Sequence, residues 1–174
     1  IPLVFDLEAY LVSNSKLRSH DLFEKLHLPV PISWPACGFP VVVKPDQASG
    51  SRGVEVISDL NSLCIRFPDW QKMDNLIIQE YMEGPSYSIE VVGCPGDFKT
   101  LQVTDLGMDS SYDCNRIMAP TRLPLNHVRE FEKMALAIAK EIKLKGIMDV
   151  EVILHKNRLK LLEIDARLPS QTPM

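Results

Sequence analysis

Glu163, Asp165 and Arg167 stand two residues apart at the end of a largely apolar run, "LLEIDARLPS". In an extended chain these three side chains point to one face. Charges that close are costly unless something sits between them, and a divalent cation with phosphate oxygens is the usual occupant. The competing reading is a strand end whose charges are solvated. Glu151, which precedes Glu163 with a turn at Lys156–Asn157 between them, shifts the balance. A two-residue turn would pair residue 151 with residue 162 and put the two glutamates on opposite faces. A shared site therefore demands a three-residue loop or a bulge, and Asn157 tolerates the left-handed conformation that such a loop uses. Glu151, Glu163 and Asp165 on one face would be magnesium ligands that leave positions open for phosphate oxygens. The other face, led by Val150, Val152, Leu162 and Ile164, would then pack on the core.

Lys44 ends a β-branched run, and Ser49-Gly50-Ser51-Arg52-Gly53 follows it. Gly50 and Gly53 let backbone N–H groups approach a bulky anion, and Lys44 offers a compact positive charge. The spacing is not that of a P-loop, and the loop leads into a strand, so the plain alternative is a flexible hairpin tip.

These residues need elements to hold them. A helix is expected over 14–26, stopped by Pro29 and Pro31, and strands at 39–45 and 54–57 form a hairpin around the Gly/Ser tip. Asp59 caps a helix to about residue 66. Strands follow at 76–82, 87–92 and near 100–105, then an irregular stretch through Pro124. A long amphipathic helix spans about 126–142, and two strands, 147–154 and 159–165, close the chain. Strands and helices mix without strict βαβ order, which predicts an α+β fold.

The chain has 174 residues, 45% of them hydrophobic, enough for a real core. A net charge of −4 argues against a general nucleic-acid or anionic-membrane surface. No apolar run approaches the roughly 20 residues that span a bilayer, and no leader pattern opens the sequence, so a cytoplasmic protein is expected. Cys37, Cys64, Cys94 and Cys114 have neither zinc nor thioredoxin spacing and read as buried or incidental thiols. His20, His27, His127 and His155 show no partner pattern and are expected on the surface or in helices. The sequence starts without methionine and stops just after its most chemical segment, as a piece of a longer protein would.

The strand ending in Lys44, the Ser/Gly loop, the segment "IIQEYMEG" and the paired acidic strands, in that order, resemble the ATP-grasp superfamily. Within it, "FDLEAYLVSNSK", "YDCN", "GIMDVEVI" and "EIDARLPSQTP" resemble the ligases of pyrrolysine biosynthesis over nearly the whole chain. The resemblance implies an ATP-grasp fold lacking its N-terminal nucleotide-fold-like domain and its C-terminal end. Residues 1–35 would connect, 36–93 would form a lid subdomain, and 94–174 a C-terminal antiparallel-sheet subdomain with the metal site.

The resemblance also implies roles. Lys16 and Lys44 would meet the phosphates of ATP, and Ser49, Gly50, Ser51 and Gly53 would cover them. Gln79, Glu80, Tyr81 and Met82 would form the adenine hinge, with Tyr81 and Met82 near the base. Glu151, Glu163 and Asp165 would hold Mg2+, and Arg167 would stand beside the transferred phosphate. Two departures matter: many relatives carry asparagine in place of Asp165, and many carry a ribose-binding acid at Ser86, a role that falls here to Glu83. The implied reaction is carboxylate activation by ATP followed by amide formation, joining 3-methyl-D-ornithine to the side-chain amine of L-lysine. Such small cationic substrates would meet Glu90, Tyr112 and Asp113, with Ser170 and Thr172 at their polar ends. A homodimer is compatible with the resemblance. The rival readings are another ATP-grasp amino-acid ligase and a nucleotide-binding module without turnover.

Overall fold

The computed structural model describes residues 5–48 and 50–168. Two antiparallel sheets divide the molecule. The first contains β1 (Val41–Pro45), β2 (Glu55–Ile57) and β3 (Leu76–Glu80) in the order β2-β1-β3. The second contains β4 (Ser86–Cys94), β5 (Asp97–Met108), β6 (Cys114–Met118), β7 (Gly146–His155) and β8 (Arg158–Asp165) in the order β6-β5-β4-β7-β8. The chain passes from one sheet to the other between Glu80 and Ser86. β4, grouped with the lid in the 36–93 division, therefore hydrogen-bonds in the larger sheet. β6 lies inside the stretch expected to be irregular.

The helices follow local signals. The expected 14–26 helix is α2 (Lys16–Lys25), and a further helix, α1 (Leu7–Ser13), precedes it; each is opened by a side-chain cap, Asp6 for α1 and Ser15 for α2. α3 (Leu60–Arg66) is capped by Asp59 as expected, its carboxylate accepting from the Ser62 N–H. α4 (Leu125–Glu141) buries Phe131, Met134, Ala135, Ile138 and Ala139, a stripe at helical spacing.

That stripe covers one face of the larger sheet, against Tyr87, Ile89 and Val91 of β4, Val150 and Val152 of β7 and Leu161 and Ile164 of β8. Alternation along each strand then sends the intervening residues to the opposite face. In the small sheet Val41 and Val43 pack with Ile57 and Leu63, so Val42 and Lys44 project the other way. The polar faces of the two sheets bound the cavities described next.

Two glycines make the join. Gly84 brings the chain so near β7 that a Cβ there would lie 2.1 Å from the Leu154 carbonyl oxygen, and the Leu154 N–H donates to the Pro85 carbonyl at 2.9 Å. Gly53, at φ +73°, turns the lid loop back with its α-carbon against Pro45, where a Cβ would meet Cγ at 2.9 Å. Cys64, Cys94 and Cys114 are exposed and Cys37 half-buried, so of the two expectations, buried or incidental, the thiols are free and incidental.

Candidate functional site

The β7–β8 hairpin has the two-residue turn. Lys156 and Asn157 both have positive φ, 48° and 59°, and His155 pairs with Arg158. The shared face is produced instead by a bulge: Val152 faces Leu161, whereas Glu151 faces Glu163 and Asp149 faces Asp165, with Leu162 the extra residue. This corrects the placement of Leu162. Leu161 takes the core position, and Leu162 joins the acidic face, where it lines two cavities.

Across the sheet, Ser88 of β4 stands opposite Glu151, and Glu90 stands opposite Asp149. Four carboxylates, Asp149, Glu151, Glu163 and Asp165, thus share one face of two strands. Burial pushes the Glu151 carboxyl well above its ordinary value, and Glu163, Asp149 and Asp165 push it further. Burial also raises Asp165, opposed by the Arg167 Nε, which donates to it at 2.6 Å. Asp149 is buried and accepts a short hydrogen bond from Ser88 Oγ.

The cations come from two other elements. Lys16 is the first residue of α2, and Asp46, just past β1, ties that helix start down by accepting from Ser15 Oγ at 2.9 Å and the Leu17 N–H at 2.9 Å. Lys16 Nζ then lies 2.5 Å from the Ala48 carbonyl oxygen, to which it donates, and 3.5 Å from Glu163. Lys44, 9% exposed, makes neither hydrogen bond nor ion pair among the described residues. Burial pulls its pKa down to about 8, with Glu163 acting in the opposite direction.

Two adjoining cavities contain these groups. One of about 180 Å³ is lined by Lys44, Gln79–Met82, Ser86, Leu162 and the lid residues Gly50, Ser51 and Arg52. The other, about 560 Å³, is lined by Asp113, Cys114, Asp149, Asp165 and Arg167. Lys16, Tyr112, Glu151 and Glu163 border both. The tip of the Gly/Ser loop is tied down at the boundary: Ser51 Oγ donates to the Tyr112 carbonyl at 2.5 Å, and the hydrogen bond that the Tyr81 hydroxyl gives to Tyr112 pushes the Tyr81 hydroxyl up in pKa.

The expected site residues sort accordingly. Lys16, Lys44, Gly50, Ser51, Gln79, Glu80, Tyr81, Met82, Tyr112, Asp113, Glu151, Glu163, Asp165 and Arg167 converge on the two cavities. Gly53 packs on Pro45, and Glu90 is buried beside Asp149; neither lines these cavities. Glu83 is exposed and faces the hairpin, its backbone bonded to His155 Nδ1, so Ser86 and not Glu83 borders the smaller cavity. Ser49, Ser170 and Thr172 lie outside the described residues. Asp46, Ser88 and Asp149 were not anticipated. Asp149 has the same period-two spacing from Glu151 that revealed Asp165. His127 and His155 have partners after all: His127 is buried against Glu130 and Asn157, and His155 holds the Glu83 backbone.

Among the described residues no three His, Cys, Asp or Glu side chains are gathered closely enough to form a metal cage. Glu163 leans to Lys16 and Asp165 to Arg167. The donor set nevertheless suits a magnesium ion, which takes oxygen ligands and needs only one or two carboxylates when phosphates supply the rest.

A family model described as an ATP-grasp domain matches residues 13–171. The chain belongs to the ATP-grasp family. A 3-methyl-D-ornithine–L-lysine ligase of Methanosarcina barkeri is 39% identical over 172 residues, 99% of this ATP-grasp chain and 44% of that protein. The chain thus spans less than half the length of that relative. Among solved structures, the biotin carboxylase domain of Hydrogenobacter thermophilus 2-oxoglutarate carboxylase superposes with a TM-score of 0.84, at 18% identity, covering 94% of this chain and 42% of that one. An L-amino acid ligase from Bacillus licheniformis gives a TM-score of 0.76, also at 18% identity, covering 94% and 42%. These likenesses establish the ATP-grasp fold. No helix among the described residues is long and apolar enough to cross a membrane.

Proposed function

We propose that this ATP-grasp chain carries the nucleotide and metal site of an ATP-dependent carboxylate–amine ligase. The reading rests on one observation: a buried lysine without a partner, Lys44, faces an aligned set of carboxylates across a cavity. A buried cation and a set of carboxylates bordering one cavity suit a polyanion with its cation.

Lys44 and Lys16 would bind ATP phosphates, and Glu151, Glu163 and Asp165 would hold Mg2+, which supplies charge neutralisation to the phosphates when bound. Arg167, at the border of the larger cavity, would stabilise the phosphoryl group as it passes to a substrate carboxylate. An amine then attacks the acyl phosphate, forming the amide and releasing phosphate. No protein nucleophile is needed, so these residues act by position and charge. The larger cavity would hold the acid and the amine. Asp149 and Asp113 give it a negative wall that favours ammonium groups, with Tyr112 on the border between the two cavities and Glu90 opposite Asp149 on β4. Ser170 and Thr172, outside the described residues, would hold the polar ends of these substrates. The similarity to a 3-methyl-D-ornithine–L-lysine ligase makes that pair the first candidates, within pyrrolysine biosynthesis. The 36–93 and 94–174 segments would then act as lid and metal-bearing body.

ADP release by the intact protein, measured with 3-methyl-D-ornithine, with L-lysine and with both, tests the proposal. Release that requires both compounds supports it; no release with any diamino acid pair refutes the ligase assignment.

A further inference from the structure

Lys44 also lines a third cavity, of about 300 Å³, which the proposed reaction does not use. Its walls come from α2, the segment before β1, the short 3-10 turn Trp70–Lys72 and β3. Trp34 and Trp70 give it aromatic surface, and Leu17, Leu76 and Leu162 give it aliphatic surface. A volume of this size with mostly apolar walls and a few polar groups is that of a small-molecule site. Its charged lining is of one kind: Lys16, His20 and Lys44 border it, and among the described residues no carboxylate does. The two cavities of the proposed active site, by contrast, are both bordered by Glu151 and Glu163. Basic groups over aromatic walls, without an acid, suit a planar apolar body that ends in a carboxylate.

We propose that this cavity is a second ligand site, for a planar apolar carboxylate, and that its occupant antagonises ATP by engaging Lys44 from the opposite side. The antagonism rests on the nucleotide-site reading above; the carboxylate site does not. The three bases differ in what already holds them. Lys16 is committed to the Ala48 carbonyl and to Glu163, and the His20 Nε2 stands 3.3 Å from Glu24 and 3.5 Å from Ser33 Oγ. Lys44 has no ion pair among the described residues and borders both the 180 Å³ cavity and this one. One ammonium group shared by two cavities serves one anion fully at a time. By linkage, ATP must then weaken the carboxylate by the same factor as the carboxylate weakens ATP.

The test titrates the intact protein calorimetrically with 2-naphthoate, with its neutral counterpart 2-naphthamide, and with ATP and Mg2+ in the presence and absence of 2-naphthoate. The wild type and Leu17→Trp are compared, the larger side chain filling the cavity from α2. Wild type should bind 2-naphthoate, and the amide about tenfold more weakly, for want of a charge-assisted contact. Saturation with 2-naphthoate should raise the ATP dissociation constant about tenfold. Leu17→Trp should lose 2-naphthoate and bind ATP as the wild type does. No binding of 2-naphthoate by the wild type, or equal binding of acid and amide, overturns the site, and neither result needs a variant to fold. Binding of 2-naphthoate that survives in Leu17→Trp places it elsewhere and also overturns the site. An ATP constant unmoved by bound 2-naphthoate overturns the antagonism. Wild-type protein that binds 2-naphthoate but no ATP upholds the carboxylate site and brings down the nucleotide site instead.

Discussion

Glu151 and Glu163 face one another across the β7–β8 ladder because Leu162 is an extra residue in β8. Without it, a two-residue turn at Lys156–Asn157 would set Glu163 out of step with Glu151. The bulge keeps a tight turn and still delivers an acidic face, at the cost of one unpaired residue.

Adjacent leucines should therefore behave differently. Leu161 is fully buried in the main core, so Leu161→Ala should cost about 2–5 kcal/mol of stability. Leu162→Ala should cost less than about 1.5 kcal/mol, because Leu162 faces a cavity, and should weaken ATP binding instead. Urea unfolding and nucleotide titration of both variants check this. Equal stability losses would contradict the bulge assignment.

Lys44 should be bad for stability and good for binding. Its folded-state pKa of about 8 lies below the ordinary 10.5, so its protonation is disfavoured in the fold. The destabilisation is complete below about pH 8 and disappears as pH rises toward 10.5. Lys44→Met should raise the unfolding midpoint of the nucleotide-free protein at pH 7, on the order of 1–3 kcal/mol, while removing ATP affinity. A lower midpoint with intact affinity would contradict the role given to this lysine.

Glu151 gives a second pH signature of opposite charge type. Its folded pKa is raised, so its contribution to stability is fully present below the ordinary value of 4.5 and is lost as pH rises through the folded value. The midpoint of the nucleotide-free protein should thus gain from acidification below neutrality more in the wild type than in Glu151→Gln. Thermal scans between pH 5 and 8 measure the difference. Parallel profiles would mean that Glu151 is not electrostatically crowded.

Glu80 ties the end of β3 to β8 and to the segment before β1. Its carboxylate accepts from Lys160 Nζ at 2.6 Å and from the Ile32 N–H at 3.2 Å, and lies 4.0 Å from His155. Burial raises its pKa, but the bonds from Lys160 and Ile32 and the nearby charges outweigh burial and leave it low. A double-mutant cycle with Glu80→Gln and Lys160→Met should give a coupling of about 1–2 kcal/mol in stability. Both single variants should also weaken ATP binding several-fold. A coupling near zero would make this an ordinary surface pair.

Period-two spacing made the acidic face legible: residues 163 and 165 must share a side in any strand. The α4 stripe and the Asp59 cap were equally plain, since both depend on short-range geometry. The bulge was not, because nothing in "KLLEID" marks one residue as extra, and the choice between bulge and longer loop depends on how β8 packs. The sheet that β4 joins was not legible, because strand pairing is a long-range property: Ser86–Cys94 follows β3 in sequence but pairs with β5 and β7. Asp46 and His155 act through contacts to distant segments, which local pattern does not show. Asp149 was within reach, as it continues the same face by two residues.

Magnesium-dependent nucleotide binding by Glu163→Gln tests the account most directly. Glu163 is the half-exposed acid that faces Glu151 and leans to Lys16, so its loss should relieve repulsion without opening the core. Isothermal titration of the intact protein with ATP, with and without Mg2+, should show Mg2+-strengthened binding in the wild type. In Glu163→Gln that strengthening should vanish, while the unfolding midpoint of the nucleotide-free protein holds or rises slightly. Undiminished dependence on Mg2+, or a large fall in that midpoint, would show that the carboxylates on this hairpin are scaffolding and not a metal site.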